Sequence, residues 1–207
     1  VLAQMRREVG AAGEWASKTI TYATEYGFPY WYSLCSMIQG WLMSEHGQTK
    51  EGIDHLQKGL DRYRATGARL GLSWFLALLA EMHGKTGAVE EGLQALRQAL
   101  AHMQETDERY YEAEVLRLNG DLLLQRDQSD VSSAEGCFRQ AIEVARRQSA
   151  RSWELRAATS LARLWATQNK IVEARDLLAA VYGWFSEGFD TPDLRDAKRL
   201  LDELSSA

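Results

Sequence analysis

The sequence predicts an all-α fold, a right-handed superhelical solenoid of about five antiparallel helix hairpins followed by a C-terminal capping helix. Helical periodicity runs through the chain without a convincing alternating strand. Leu, Ala, Glu, Gln and Arg fill segments of about 14–18 residues, and short Gly-rich or polar breaks such as EHGQTK and HGKTGA separate them. A sequence pattern also recurs at nearly constant intervals, which is typical of stacked helical repeats.

The repeated pattern is clearest in EGIDHLQKGL (51–60) and EGLQALRQAL (91–100), which match at an offset of 40 residues. AEGCFRQAI (134–142) and VEARDLLAAV (172–181) follow the same design, and EWASKTITYA (14–23) is a weaker copy. A small residue is followed four positions later by a bulky apolar one and, in most copies, by another small one three positions after that. These sets are Ala16/Ile20/Ala23, Gly52/Leu56/Gly59, Gly92/Leu96/Ala99, Ala134/Phe138/Ala141 and Ala174/Leu178/Val181. Another small residue lies twelve positions before a set at Gly40, Ala80 and Ala162, with Gly120 displaced by a two-residue insertion.

Each set indicates one hairpin, because antiparallel helices approach closely only where their facing positions are small. The units recur every 36 to 42 residues and resemble the tetratricopeptide repeat, whose usual length is about 34 residues. We expect one repeat domain over residues 1–207, cut from a longer protein because it begins at Val1 inside a helix-like run. The expected hairpins cover 1–26, 27–66, 68–106, 108–149 and 151–187, and the capping helix covers 191–204, where Asp193 suits the helix dipole.

A concave surface lined by the first helix of each hairpin is what the resemblance to tetratricopeptide arrays implies. Aligning those helices gives a candidate binding set that is apolar at one end and charged at the other, a combination suited to a peptide. The set is Met37, Trp41, Trp74, Glu81, Glu114, Arg117, Asp121, Arg156 and Arg163. A solvated face interrupted by a few packing aromatics is the alternative interpretation of the same residues.

The tripeptide Gly84-Lys85-Thr86 ends like a phosphate-binding P-loop, but its surroundings argue against nucleotide binding. A P-loop needs GxxxxGK[ST] after a strand, and the position of its first glycine is occupied by Leu79 within a helical run. Gly87 corresponds to Gly47 in the preceding repeat. We therefore expect a helix end and a turn at this point.

No other residue pattern points to catalysis, a cofactor or a metal. The four histidines, His46, His55, His83 and His102, are scattered and do not form a ligand motif, and no Ser or Cys lies in a nucleophile motif. Cys35 and Cys137 lie far apart in apolar surroundings, which favours free thiols and a cytoplasmic protein. The net charge of −5, the pI near 5.5 and the absence of a long apolar run argue against nucleic-acid and membrane partners.

A more specific resemblance lies in the last third of the chain. It is carried by AEVLRLNGDLLLQ, by AEGCFRQAIEVARRQSARSWELRAATSLARLWATQNK and by EARDLLAAVYGWFSEGFDTPDLRDAKRLLDEL. These stretches resemble the C-terminal repeat region of large bacterial signalling proteins, in which a class III adenylate or guanylate cyclase or another effector precedes a P-loop ATPase and helical repeats. The resemblance implies a regulatory array, and it carries over no catalytic residue, since the cyclase aspartates and the P-loop are absent here.

Three functions are compatible with these features. The leading one is a non-catalytic interaction or regulatory module that binds a protein, a peptide or its own upstream domains through the concave face. The second is a small-molecule sensor that controls an ATPase switch, which a closed pocket lined by Met37, Trp41 and Trp74 would favour. The third is a structural oligomerisation array, which would show a large exposed apolar patch, for example on the first hairpin.

Overall fold

The computed structural model describes residues 1–206, which form eleven α-helices and no β-strand. The all-helical class predicted from the sequence is therefore confirmed. The chain divides into two compact units, Val1–Glu108 and Arg109–Ala207. No helix among residues 1–206 is both long enough and apolar enough to cross a bilayer.

The first unit consists of helices that pair in sequence order as antiparallel hairpins. They are α1 (Leu2–Met5), α2 (Val9–Glu25), α3 (Pro29–Glu45), α4 (Thr49–Ala65), α5 (Leu72–Thr86) and α6 (Val89–Thr106). The helices pack as the pairs α1 with α2, α3 with α4 and α5 with α6, and α2 and α4 also contact the first helix of the following hairpin. This is the neighbour pattern of a stacked repeat.

The second unit continues the same local design and ends with a single helix. Its helices are α7 (Glu112–Arg126), α8 (Val131–Arg147), α9 (Arg151–Thr167), α10 (Ile171–Tyr182) and α11 (Pro192–Ser206). Helix α7 pairs with α8 and α9 pairs with α10, while α11 packs against both α9 and α10. Helix α11 buries Leu194, Ala197, Leu200 and Leu204 and leaves its other face polar, as expected of a cap.

The repeated small residues bring the two helices of a hairpin together, as the sequence pattern predicts. A Cβ atom on Gly40 would lie 2.7 Å from the carbonyl oxygen of Gly52, and one on Gly120 would lie 2.6 Å from the Phe138 ring. In four of the five sets the bulky member fills the space that this approach creates, whereas Ile20 of the first set is only partly buried. Leu56, Leu96, Phe138 and Leu178 are all fully buried.

The turns between helices depend on residues in the left-handed region of φ. Gly47 and Gly87 occupy equivalent places and have φ of 84° and 78°. Gly87 directly follows the last residue of α5, and Gly47 is the second residue after α3. Glycine adopts this conformation without the steric penalty of a Cβ atom. Gly84-Lys85-Thr86 lies in the last turn of α5, and Lys85 Nζ contacts Glu45 Oε1 at 2.6 Å. The prediction of a helix end followed by a turn is confirmed.

Candidate functional site

Three of the four candidate residues in the first unit are buried in its core. Met37, Trp41 and Trp74 expose 0%, 2% and 3% of their surface. The Met37 side chain lies directly over Gly59 on α4, so it faces the partner helix of its own hairpin. The expectation that these three side chains line an open surface is corrected, because the close helix packing draws them inward.

The short helix α1 and the turn after it cover the part of α5 that carries Trp74 and Glu81. The Trp74 indole Nε1 donates a hydrogen bond to Gln4 Oε1 at 2.9 Å, and Gln4 is itself buried. Arg7 Nη2 donates to Glu81 Oε1 at 3.0 Å. The chain itself therefore occupies the apolar end of the surface that the sequence assigned to a ligand.

The other five candidate residues lie on α7 and α9, and four of them form one charged cluster. Arg117 donates from Nε and Nη2 to the two carboxylate oxygens of Glu114 at 2.8 and 2.9 Å, and from Nη1 to Asp121. Arg156 Nη1 donates to Glu114 Oε1 at 3.2 Å. Glu114, Arg117 and Arg156 expose only 2%, 8% and 8% of their surface. Buried charges persist in proteins when they are paired and hydrogen-bonded in this way.

Helix α11 adds two carboxylates to this charged region. Asp193 Oδ2 accepts a hydrogen bond from Arg156 Nε at 2.8 Å, and Asp196 Oδ2 accepts one from Arg163 Nη2 at 2.5 Å. The Arg156 guanidinium also lies 4.8 Å from the centre of the Trp153 ring, which is within cation–π distance. The cap therefore contributes to the electrostatics of α9 as well as covering its apolar surface.

A cavity of about 550 Å³ opens beside the cluster, and residues from α7, α8 and α9 line it. Three candidate residues, Arg117, Asp121 and Arg163, belong to its wall. The remaining wall is apolar at Leu124, Val131, Phe138 and Leu164 and polar at Gln125, Gln128, Ser160 and Thr167. Ligand sites in proteins combine apolar surface with converging polar groups, and this cavity contains both.

Asp121 is the acidic group of the cavity wall, and 34% of its side chain is exposed. Desolvation raises the pKa of its carboxyl above the ordinary value, although the Arg117 charge and hydrogen bonds to Ser160 and Arg117 act in the opposite direction. The neighbouring Glu114 carboxylate adds to the increase. A carboxylate in such a place is stabilised by any further cation that enters the cavity.

Helical spacing explains how these side chains reach one cavity. Asp121 and Gln125 are four residues apart on α7, and so are Arg163 and Thr167 on α9, so each pair projects from one face of its helix. The candidate residues chosen from the sequence include Asp121 and Arg163 but not Gln125 or Thr167. Extending both rows by one turn would have found Gln125 and Thr167, whereas no local signal indicated Asp193.

A second, more open cavity of about 470 Å³ lies in the first unit and includes His46 and His55 in its wall. His55 Nε2 lies 3.1 Å from Ser36 Oγ, and desolvation followed by the nearby Arg62 charge lowers the pKa of His55. Within residues 1–206, no three His, Cys, Asp or Glu side chains are grouped as metal ligands would be. This cavity contains none of the residues that the sequence singled out for binding.

No protein-family profile matches this sequence. A protein of uncharacterised function from Rhizobium meliloti (strain 1021) is 27% identical over 129 residues. That alignment covers 62% of this chain and 12% of the relative, so the chain spans a small part of the relative's length.

Similar solved structures share the helical repeat over most of the chain. BtubC (BKLC) from P. vanneervenii superposes with a TM-score of 0.69 at 14% identity, covering 97% of this chain and 89% of that one. A variant of the putative kinesin light chain of Podosopora anserina, which has nearly identical tetratricopeptide-like repeats, superposes with a TM-score of 0.58 at 17% identity, covering 87% and 88%. A further structure of the same kinesin light chain gives 0.56 at 18% identity, covering 87% and 89%. The tetratricopeptide-like repeat fold is therefore confirmed.

Proposed function

We propose that the chain is a non-catalytic interaction domain of a larger bacterial signalling protein, linked to a cyclase or an ATPase. It binds a peptide segment in the cavity formed by α7, α8 and α9. The segment belongs either to a separate protein or to upstream domains of the same polypeptide. The observation that carries this proposal is the cavity itself, where three predicted binding residues meet apolar and amide-bearing side chains.

The structure supports the second unit as the binding region rather than the first. In the first unit the candidate side chains are buried or contacted by α1 and the turn after it. Three candidates of the second unit are also buried, which corrects the expectation that Glu114, Arg117 and Arg156 line an open face. Arg163 is half-exposed, however, and Gln125 and Gln128 are exposed, so polar groups remain accessible at the rim of the cavity. Interfaces combine such a polar rim with an apolar interior.

The signalling context rests on the resemblance of residues 113–204 to C-terminal repeat regions of bacterial regulators. The match to a much longer bacterial protein is compatible with a regional role of this kind. A repeat array adjoining an effector can regulate it if the array's ligand favours one state of the whole protein. Catalysis would then reside outside this chain.

Affinity capture from a bacterial lysate with the 207-residue chain as bait, followed by mass spectrometry, tests the proposal. The matched variant is Gln125→Trp, which places a large ring at the cavity mouth without disturbing a buried residue. The control is Gln57→Trp, a change of the same kind at an exposed position of α4 outside both cavities.

We expect at least one protein to be captured by the wild type and the control and lost with Gln125→Trp. Recovery of cyclase or ATPase domains homologous to those of the bacterial regulators would support intramolecular regulation. Identical protein lists from all three baits would contradict a peptide site in this cavity. A small-molecule pocket lined by Met37, Trp41 and Trp74 is not supported, since these side chains are buried in the core.

A second candidate function, assembly through the first hairpin, is favoured by an exposed aromatic stripe. Trp15 and Tyr22 share one face of α2 and remain exposed, and Tyr26 and Phe28 are exposed directly after the helix. Sedimentation analysis of the wild type and of Trp15→Glu/Tyr22→Glu tests this function. A concentration-dependent dimer that the double variant abolishes would support it, and a monomer in both cases would exclude it.

A further inference from the structure

We propose that the cavity beside α7 and α9 is a subsite for a basic side chain, a lysine or arginine of the bound peptide, whose cationic end meets Asp121. This inference rests on the proposed function and names the chemistry of the ligand. It follows from the charges around the cavity, the helix ends at its wall and the apolar residues that would contact the aliphatic stem.

The first argument is the local charge balance. Two guanidiniums line the cavity, but Arg117 already donates to both oxygens of Glu114, and Arg163 donates to Asp196. Asp121 therefore shares the Arg117 guanidinium with a second carboxylate. Glu114 also pairs with Arg156, and Arg156 pairs with Asp193. Four carboxylates therefore contact three guanidiniums, which leaves an excess of one negative charge before the exposed Arg199 is counted. Arg199 also contacts Asp196, but its side chain is largely exposed to solvent and its charge is screened.

The second argument is that Asp121 can accept more hydrogen bonds than it receives. An ionised carboxylate offers about four acceptor positions, and the contacts of Asp121 are with Arg117 and Ser160. A third of its side chain is accessible, and Gln125 and Gln128 add amide oxygens to the wall of the same cavity. An ammonium or guanidinium group is a multiple donor that suits such a set of oxygens.

The third argument is the direction of the helices. The last turns of α7 and α9 contribute Gln125 and Thr167 to the wall, and the carbonyl end of a helix carries a negative partial charge. Helix α8 begins at the same cavity with Val131 and presents its positive end. Two carbonyl ends against one amide end leave a net preference for a cation.

The apolar part of the wall accounts for the rest of a basic side chain. Leu124, Phe138 and Leu164 line the cavity, and the methylene stems of Lys and Arg pack on such surfaces while their charged ends stay among polar groups. A free anion would instead require an unengaged cation in the wall. Both guanidiniums that line the cavity already contact carboxylates.

The test is an NMR titration of the full 207-residue chain, labelled with ¹⁵N, with three probes of equal length. These are n-pentylammonium, n-pentanol and pentanoate, which differ in charge at one end. We expect n-pentylammonium to shift the amide signals of Asp121, Gln125, Gln128 and Ser160 at lower concentration than the other two probes. Asp121→Asn should weaken n-pentylammonium binding on the order of tenfold, because it removes one charge-assisted hydrogen bond. The control Asp61→Asn removes a highly exposed carboxylate on α4 and should leave the titration unchanged.

A peptide arm then identifies the source of the cation. Acetyl-Leu-Lys-Leu-amide should shift the same signals more strongly than n-pentylammonium, and the norleucine peptide of equal length should not. Stronger shifts with pentanoate, equal shifts with n-pentanol, or no shifts at these residues with any probe would each overturn the proposal. Capture of a partner that depends on Gln125 but not on Asp121 would refute the basic subsite alone and leave the interaction function standing.

Discussion

At the scale of single residues, Gly40 and Gly52 allow α3 and α4 to approach until their backbones touch. A Cβ atom on Gly40 would lie 2.7 Å from the Gly52 carbonyl oxygen and 2.8 Å from the Leu56 nitrogen. Both are backbone atoms, so a clash moves a whole helix rather than one flexible side chain. We expect Gly40→Ala to lower the free energy of unfolding by about 1–2 kcal/mol, despite the better helix propensity of alanine. Urea denaturation followed by circular dichroism measures this change.

Gly136 provides the matched control for that substitution. It lies within α8, is exposed, and a Cβ atom there would meet no atom within 4 Å. Gly136→Ala should therefore raise the free energy of unfolding by roughly 0.5–1 kcal/mol, since alanine is the better helix former. A loss of stability in both variants would mean that close packing is not what distinguishes Gly40.

Glu114 is the residue on which the buried charged cluster depends most. It accepts hydrogen bonds from the guanidiniums of Arg117 and Arg156, and all three residues are buried. Glu114→Ala would remove the carboxylate and leave both cations in a poorly solvated environment, at a cost of about 3–5 kcal/mol in unfolding free energy. Glu143→Ala, at an exposed position of α8, should change it by less than about 0.5 kcal/mol. Equal urea midpoints for the two variants would contradict this interpretation.

The raised pKa of Asp121 predicts the direction in which the free energy of unfolding changes with pH. Although a third of the side chain is exposed, desolvation raises the pKa of its carboxyl in the folded protein, so the folded state holds this proton more tightly than the unfolded chain. Ionisation of Asp121 therefore costs stability as pH rises from the ordinary Asp value of about 3.9 through the raised pKa.

Asp121→Asn should accordingly gain stability relative to the wild type over that pH range and keep the advantage at neutral pH. Urea unfolding of both proteins at a series of pH values measures the difference. An advantage for the variant that is independent of pH, or that shrinks as pH rises, would contradict a raised pKa of this carboxyl in the folded state.

At the scale of elements, the sequence predicts the hairpins well because their cause is local. Gly52, Leu56 and Gly59 specify a close approach at fixed spacing, and a left-handed turn residue such as Gly47 ends the preceding helix. The partners of Trp74 and Arg156 were not predictable in this way. Gln4 is 70 residues from Trp74 and Asp193 is 37 residues from Arg156, and neither distance is encoded in a helical period.

The missed contacts also decide which candidate residues are accessible. The prediction of a concave binding face rested only on the alignment of the first helix of each hairpin with those of the other hairpins. It could not anticipate that the segment before α2 contacts Trp74 and Glu81, or that α11 supplies Asp193 and Asp196 to α9. Arg117, Asp121 and Arg163 were selected by the same alignment and do line one cavity. That they bind a ligand stays a prediction.

Helix α11 should stabilise the second unit out of proportion to its length. It buries Leu194, Ala197, Leu200 and Leu204 and joins α9 through Asp193 and Asp196. Deletion of residues 191–207 would expose the apolar surface of α9 and α10 beneath it. We expect hydrogen exchange in α9 and α10 to become faster by at least about tenfold, as measured by mass spectrometry. The control Lys198→Ala, on the exposed face of α11, should leave the exchange rates unchanged. Unchanged exchange rates after the deletion would show that α11 does not stabilise the unit.

At the scale of the whole molecule, the chain comprises two compact units of a size that ordinarily folds alone. The continuous core of the second unit includes Phe138, Leu155 and Leu178, together with Leu194 from the cap. The first unit buries Trp41, Leu56 and Phe75. That residues 1–207 form one superhelical domain stays a prediction from the repeat pattern.

Separate expression of residues 1–108 and 109–207 tests whether each unit has a sufficient core. A cut after residue 108 leaves every helix pair inside each unit intact, because α1 to α6 contact one another and α7 to α11 contact one another. We expect both fragments to show helical circular dichroism and cooperative thermal unfolding. A matched pair cut within a hairpin, residues 1–88 and 89–207, separates α5 from α6 and should give at least one fragment without a cooperative transition. Non-cooperative unfolding of either fragment from the first pair would show that its stability depends on the remainder of the chain, which would contradict two self-sufficient cores.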